Sequence, residues 1–183
     1  MSGQKLHKSV LVFGGTRSGK SAYALNMAEN SGLAPLMIAT AQIHDDEMRA
    51  RIEAHRLERG PHWSLIEEHL DLTATLQHAA AADKILLVDC LTLWLSNLMF
   101  AEQDYIKAGY ALATSVQALA GPVIFVSNEL GLGTVPDHPL TRRFRDAQGK
   151  LNQIMAAACT DVIYVQAGLP RRLKPAPPVN IEF

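Results

Sequence analysis

Short apolar runs and amphipathic stretches alternate along most of this chain. Residues 9–13, Ser-Val-Leu-Val-Phe, form an apolar run ending in Gly14-Gly15, which predicts a buried parallel strand leading into a glycine turn. Residues 21–30 follow with helical periodicity and stop near Gly32, and residues 35–39 predict a second strand, closing a βαβ unit. Residues 45–59 read as a helix with Asp45, Asp46 and Glu47 in its first turn, where the helix dipole favours carboxylates, and Gly60-Pro61 stops it. A short strand is predicted over 63–67 and a helix over 70–82. Residues 85–88, Ile-Leu-Leu-Val, give the clearest buried strand. Helices over 91–100 and 105–119, a strand over 122–126, a glycine-containing loop over 128–139, a long helix over 140–159 and a last core strand over 162–165 complete the pattern.

Strands that alternate with helices predict an α/β fold with a mostly parallel sheet covered on both faces. The 183 residues suit one domain, and 48% of them are apolar, enough for a buried core. Residues 174–183 are proline-rich and predict an extended or mobile tail. The longest apolar candidate, 85–100, carries Asp89, Thr92, Ser96 and Asn97, so it reads as a strand followed by a helix and not as a membrane span. A formal net charge of -1 without like-charge blocks gives no nucleic-acid footprint. Cys90 and Cys159 have no CxxC spacing, and the polar residues 1–8 are too short for a signal peptide, which together predict reduced thiols and a cytoplasmic protein.

Chemistry concentrates in Gly14-Gly15-Thr16-Arg17-Ser18-Gly19-Lys20-Ser21, which fits GxxxxGK[ST] in full. Backbone N–H groups of such a loop wrap a phosphate chain, Lys20 reaches the β- and γ-phosphates, and the Ser21 hydroxyl coordinates Mg²⁺. A strand before and a helix after the motif supply the context it needs, and predict the P-loop NTPase-type three-layer fold of RecA-like proteins. Asp89 follows the strand over 85–88, where a second Mg²⁺ ligand belongs, or caps the helix that begins at Leu91. His55 extends the helix face of Met48 and Ile52 among Arg51, Arg56 and Arg59. It reads either as half-buried packing or as a neutral imidazole that attacks phosphorus while the cations hold the phosphates. The other histidines show no paired metal-ligand spacing. Trp63 reads as a core aromatic or a base-stacking platform, and Glu67 as a solvated strand residue. Asn128 and Glu129, in Ser127-Asn-Glu-Leu-Gly-Leu-Gly133, end a strand where α/β sheets bind ligands, or form a plain glycine turn. Arg142, Arg143 and Arg145 either grip anions or form a solvated helix face.

Together these segments resemble the bifunctional adenosylcobinamide kinase/adenosylcobinamide-phosphate guanylyltransferase family of cobalamin biosynthesis. The resemblance rests on the glycine loop, Ile38-Ala-Thr-Ala41, Asp45-Asp-Glu-Met48, Arg51-Ile-Glu-Ala-His55 with Trp63 downstream, Val126-Ser-Asn-Glu-Leu-Gly-Leu-Gly-Thr-Val-Pro136 and Phe144-Arg-Asp-Ala-Gln-Gly-Lys-Leu-Asn152. The loop alone is generic, whereas its combination with RIxxH and NExGxGxVP is specific. The resemblance implies that a nucleoside triphosphate, ATP or GTP, phosphorylates the aminopropanol hydroxyl of adenosylcobinamide. It further implies that GTP guanylylates His55 and that GMP then passes to adenosylcobinamide phosphate, giving adenosylcobinamide-GDP. The family's nucleotide contacts fall on the glycine loop and on Ala39, Thr40, Ala41, Arg56, Leu57, Glu58, Arg59, Glu67 and Asp89. Ala54 stands where some relatives carry a second histidine, and Asp89 where some carry Glu. The family also implies a homo-oligomer, specifically a trimer. The competing readings are a single-function P-loop small-molecule kinase, which needs Lys20, Ser21 and Asp89 but not His55, and a nucleotide-binding switch without an acceptor.

Overall fold

The structure is a computed structural model and describes residues 7–42 and 60–176. The predicted helix over 45–59, with His55 and Arg56 to Arg59, lies outside the described residues.

Seven strands form one sheet in the order β3-β2-β4-β5-β1-β6-β7. They are β1 (Ser9–Gly14), β2 (Ala34–Ala39), β3 (Ser64–Glu67), β4 (Lys84–Asp89), β5 (Val123–Asn128), β6 (Asp161–Gln166) and β7 (Leu169–Lys174). The first six are parallel, and β7 runs antiparallel to β6. Five described helices connect them: α1 (Lys20–Glu29), α2 (Leu72–Ala79), α3 (Leu91–Phe100), α4 (Tyr105–Val116) and α5 (Pro139–Ala158).

Alternation along each strand divides the core between two faces. Leu11, Leu86, Val88 and Phe125 pack under α2, α3, α4 and α5. Val10, Val12, Leu87 and Ile124 point the other way, against Ala24 and Ala28 of α1. Because both faces are covered, the central strands read as unbroken apolar runs. That is why the sequence locates β1, β4 and β5 so plainly.

Differences from the sequence reading sit at element ends and at one edge. The helix expected over 70–82 is confined to Leu72–Ala79. Its start is fixed by Asp71, whose carboxylate accepts from the Ala74 amide, and its stop by Ala80, which is extended. β7 is a strand the pattern did not predict, since Pro170 and two arginines break the alternation; proline is tolerated there because the strand is an edge. Lys174 therefore closes a strand instead of opening a loose tail, and its ammonium donates to the carbonyls of Ala156, Ala157 and Cys159 at the end of α5.

Candidate active site

Three adjacent strands, β4, β5 and β1, end side by side, so Asp89, Asn128 and Gly14 lie along one carboxyl edge. Gly14 pairs in register with Asn128, and the Glu129 amide donates to the Gly14 carbonyl at 3.0 Å. Gly14 has no room for a side chain: a Cβ there would run into the Val165 carbonyl and the Ser18 hydroxyl. The loop then turns tightly, with the Ser18 amide bonding the Gly15 carbonyl at 3.2 Å. Gly19 caps α1 in the left-handed region with φ 92 and offers no side chain to the helix start. The first-turn N–H groups of α1 are thus presented by a glycine cap at the end of β1, the arrangement that receives phosphate oxygens. Lys20 bends back so that its ammonium donates to the Gly15 carbonyl at 3.3 Å.

Residues from β2, β4 and α3 lock the neighbouring corner. Thr40, fully buried, donates its hydroxyl to the Cys90 carbonyl at 2.7 Å and accepts from the Cys90 amide at 2.9 Å. The Asn97 amide nitrogen donates to the Thr40 carbonyl at 2.8 Å and to the His69 carbonyl at 3.1 Å. These bonds hold the end of β2 against the β4–α3 junction and so fix where Asp89 stands. Burial, then the Asp89 carboxylate, push the Cys90 thiol up to about 11. The N-cap residue of α3 is Cys90, and Asp89 stands one residue before it.

Glu67 ends β3 in register with Ala39, and so joins the same edge, exposed. Its neighbour Glu68 is a structural carboxylate. Burial alone would push its pKa up, but the Leu70 and Asp71 amides and the Thr75 hydroxyl bond it and leave it below its ordinary value. Trp63 packs on the α1 side and donates to Glu29 at 3.3 Å, which makes it a packing residue here. Arg142 and Arg145 donate to the carbonyls of Pro136, Asp137 and Thr134, so two of the three arginines pin the 129–138 loop onto α5.

Two supports were not visible in the sequence reading. Under Asn128, a buried set joins Gln148, Asn152 and Ser127: the Ser127 hydroxyl donates to Asn152 at 2.6 Å, and Gln148 donates to both. Asn152 in turn donates to the Asn128 carbonyl at 2.9 Å. Polar residues at i and i+4 on the core-facing side of α5 were the available signal. Beside the glycine loop, the β6–β7 turn sends the Gly168 amide to the Ser18 carbonyl at 2.8 Å.

The sequence model of the family described as cobinamide kinase / cobinamide phosphate guanyltransferase matches residues 10–173. The chain belongs to this family. As a cobinamide kinase / guanyltransferase it is an enzyme, both kinase and nucleotidyltransferase. It is 48% identical to the bifunctional adenosylcobalamin biosynthesis protein CobP of Pseudomonas aeruginosa, over 91% of this chain and 98% of the relative. It is 37% identical to the corresponding CobU protein of Escherichia coli, over 90% and 99%. The CobU protein of Salmonella typhimurium is 39% identical, again over 90% and 99%. Among solved structures, the RadB recombinase superposes with a TM-score of 0.52 at 16% identity, covering 87% of this chain and 74% of that one. A Pyrococcus horikoshii protein superposes with a TM-score of 0.57 at 11% identity, over 92% and 87%. At those identities the likeness concerns the fold, and it bears out the RecA-like α/β expectation.

Among the described residues no three His, Cys, Asp or Glu side chains cluster as a metal cage, and no described helix is long and apolar enough to cross a membrane. Ser21, in the first turn of α1, and Asp89, the last residue of β4, are residues with hard oxygen donors next to the glycine loop. That sparse set fits Mg²⁺, which keeps several waters and takes further oxygens from phosphates.

Proposed function

We propose that this family member runs both of its reactions at the carboxyl edge formed by Gly14, Asp89 and Asn128. It phosphorylates adenosylcobinamide with ATP or GTP, then transfers GMP from GTP to adenosylcobinamide phosphate through His55. The observation that carries the reading is the glycine-capped start of α1, where Lys20 stands, on the same carboxyl edge as Asp89 at the end of β4.

In the kinase step, the loop amides and Lys20 hold the triphosphate; the aminopropanol hydroxyl oxygen attacks the terminal phosphorus, an O–P bond forms, the nucleoside diphosphate leaves and the hydroxyl proton passes to solvent. The protein's part is alignment and charge stabilisation. Ser21 and Asp89 would hold Mg²⁺, which would neutralise phosphate charge there. In the guanylyl step the neutral His55 imidazole attacks the α-phosphorus of GTP, an N–P bond forms and pyrophosphate leaves. A phosphate oxygen of adenosylcobinamide phosphate then attacks that phosphorus, forming the diphosphate linkage and returning the imidazole. A histidine phosphoramidate is labile enough to split one difficult transfer into two easier ones. Ala39, Ala41 and Glu67 line the same edge as the nucleotide, and Arg56, Leu57, Glu58 and Arg59 follow the nucleophile in sequence. Thr40 contributes by fixing the corner.

The test is to assay both half-reactions in His55→Ala. Guanylyl transfer should be lost while phosphorylation of cobinamide persists. Retention of guanylyl transfer would remove His55 from the mechanism and favour a kinase that needs only the P-loop.

A further inference from the structure

The cobinamide substrate is far larger than the phosphate cradle, so most of it must rest on protein outside the glycine loop. The hydrogen bonds place one apolar groove on the correct side. Asn97 of α3 reaches Thr40, just past the end of β2, and Gln148 of α5 reaches Ser127 at the end of β5. Residues 139–147 of α5 therefore project beyond the carboxyl edge, with Phe144 about 6 Å past Gln148. Between this projecting turn and α3 lies an open groove of about 290 Å³, lined by Ser96, Phe100, Leu140, Thr141, Arg143 and Phe144. Phe100 and Leu140 are 76% and 52% exposed, unusual for large apolar side chains set next to one another.

We propose that this groove seats the edge of the corrin macrocycle of cobinamide, in both reactions. This rests on the functional reading above and adds the place where the acceptor binds. The 129–138 loop links the groove to the phosphate cradle. The 129–138 loop begins at Glu129, bonded to Gly14, and ends pinned by Arg142 and Arg145 at the groove, carrying the exposed Leu132 and Val135 between. Along α3, Ser96 stands roughly 8 Å of helix from Leu91. The span from groove to phosphate edge therefore suits an acceptor hydroxyl carried on a flexible arm. The chemistry also matches. A corrin rim presents methyl groups, which suit Phe100, Leu140 and Phe144, and carboxamide arms, whose carbonyls accept from Ser96, Thr141 and Arg143. A second copy of the chain is the competing occupant. The alternation of a few apolar side chains with donors over so small a volume favours a decorated ring edge over a protein face.

The test uses the full-length enzyme with Phe100→Ser and Leu140→Asn. Both side chains are exposed, so folding should hold, and thermal melting checks it. Cobinamide binding is followed by its visible absorbance, alongside KM for cobinamide, KM for nucleotide and the oligomeric state by light scattering. Tyr110→Ser, at an exposed position on α4, is the control. The expected result is cobinamide affinity weakened about tenfold or more in both groove variants, with nucleotide KM and assembly unchanged and Tyr110→Ser like wild type. Unchanged cobinamide affinity in folded groove variants overturns the groove and leaves the reaction assignment standing. A change of oligomeric state assigns the groove to a contact between copies and overturns it also. A wild-type enzyme that binds no cobinamide overturns both readings.

Discussion

Lys20 stands at the start of α1 and Asp89 at the end of β4, and the proposed function gives them the charge chemistry of the cradle. Removing the Lys20 ammonium takes away a cation aimed at developing phosphate charge. Lys20→Ala should therefore lower triphosphate-dependent turnover by about 10²-fold or more while the melting temperature hardly moves. A variant with full kinase activity would show that the loop is not the catalytic cradle. Asp89→Asn keeps the shape but not the anion, so the Mg²⁺ concentration needed for half-maximal rate should rise clearly. An unchanged metal titration would give the metal to another acid. These two residues were legible in the sequence because GxxxxGK[ST] and a strand-ending Asp are local patterns. Thr40 and Asn97 were not legible as supports. Each acts through bonds to a segment far along the chain, and no spacing within one element records that.

Among the elements, the β6–β7 hairpin was the one that pattern reading missed, and it braces the glycine loop through Gly168. Its two turn residues, Ala167 and Gly168, have φ 51 and 78, the geometry of a type I′ turn that favours Asn-Gly. Ala167→Asn should relieve the cost of a left-handed alanine and raise stability by about 0.5–1 kcal/mol, read as a higher urea midpoint. A lower midpoint would mean that the turn is held by something other than its backbone preference. The far end of the same hairpin is tied by Asp161, which is buried between Lys8 at 3.1 Å and Arg172 at 3.4 Å and accepts from Thr160 at 2.9 Å. Burial would raise this carboxyl, but the Thr160 hydroxyl and the two cations outweigh it and hold it below its ordinary value of 3.8. A depressed folded pKa contributes stability that is complete above the unfolded value and lost as pH falls through the folded one. The stability gap between wild type and Asp161→Asn should accordingly be widest near neutrality and narrow below about pH 4. A gap that stays constant into acid would show that Asp161 is not the group titrating. Polar pairs of this kind explain why an arginine-rich edge strand escapes periodicity: β7 is recognised by its partners, not by an apolar face.

At the scale of the whole molecule, the sheet order brings the ends of β1, β4 and β5 together although other elements separate them in sequence, and the proposed function runs both chemistries at that edge. The family, the α/β class and the phosphate loop were all legible from residue patterns, because covered parallel strands and P-loops leave strong local signals. The acceptor groove was not, since its lining comes from two helices and only folding sets Phe100 beside Leu140. In the proposed function, one nucleotide site serves a kinase and a covalent guanylyl carrier. The most direct measurement incubates the enzyme with Mg²⁺ and GTP labelled at either the α- or the γ-phosphate, then denatures it and follows label on the chain. The expected result is α-label only, in a bond stable to alkali and cleaved by acid as a phosphoramidate is, present in His62→Ala and absent in His55→Ala. Label that persists in His55→Ala, or a wild-type chain that never takes α-label, would contradict it.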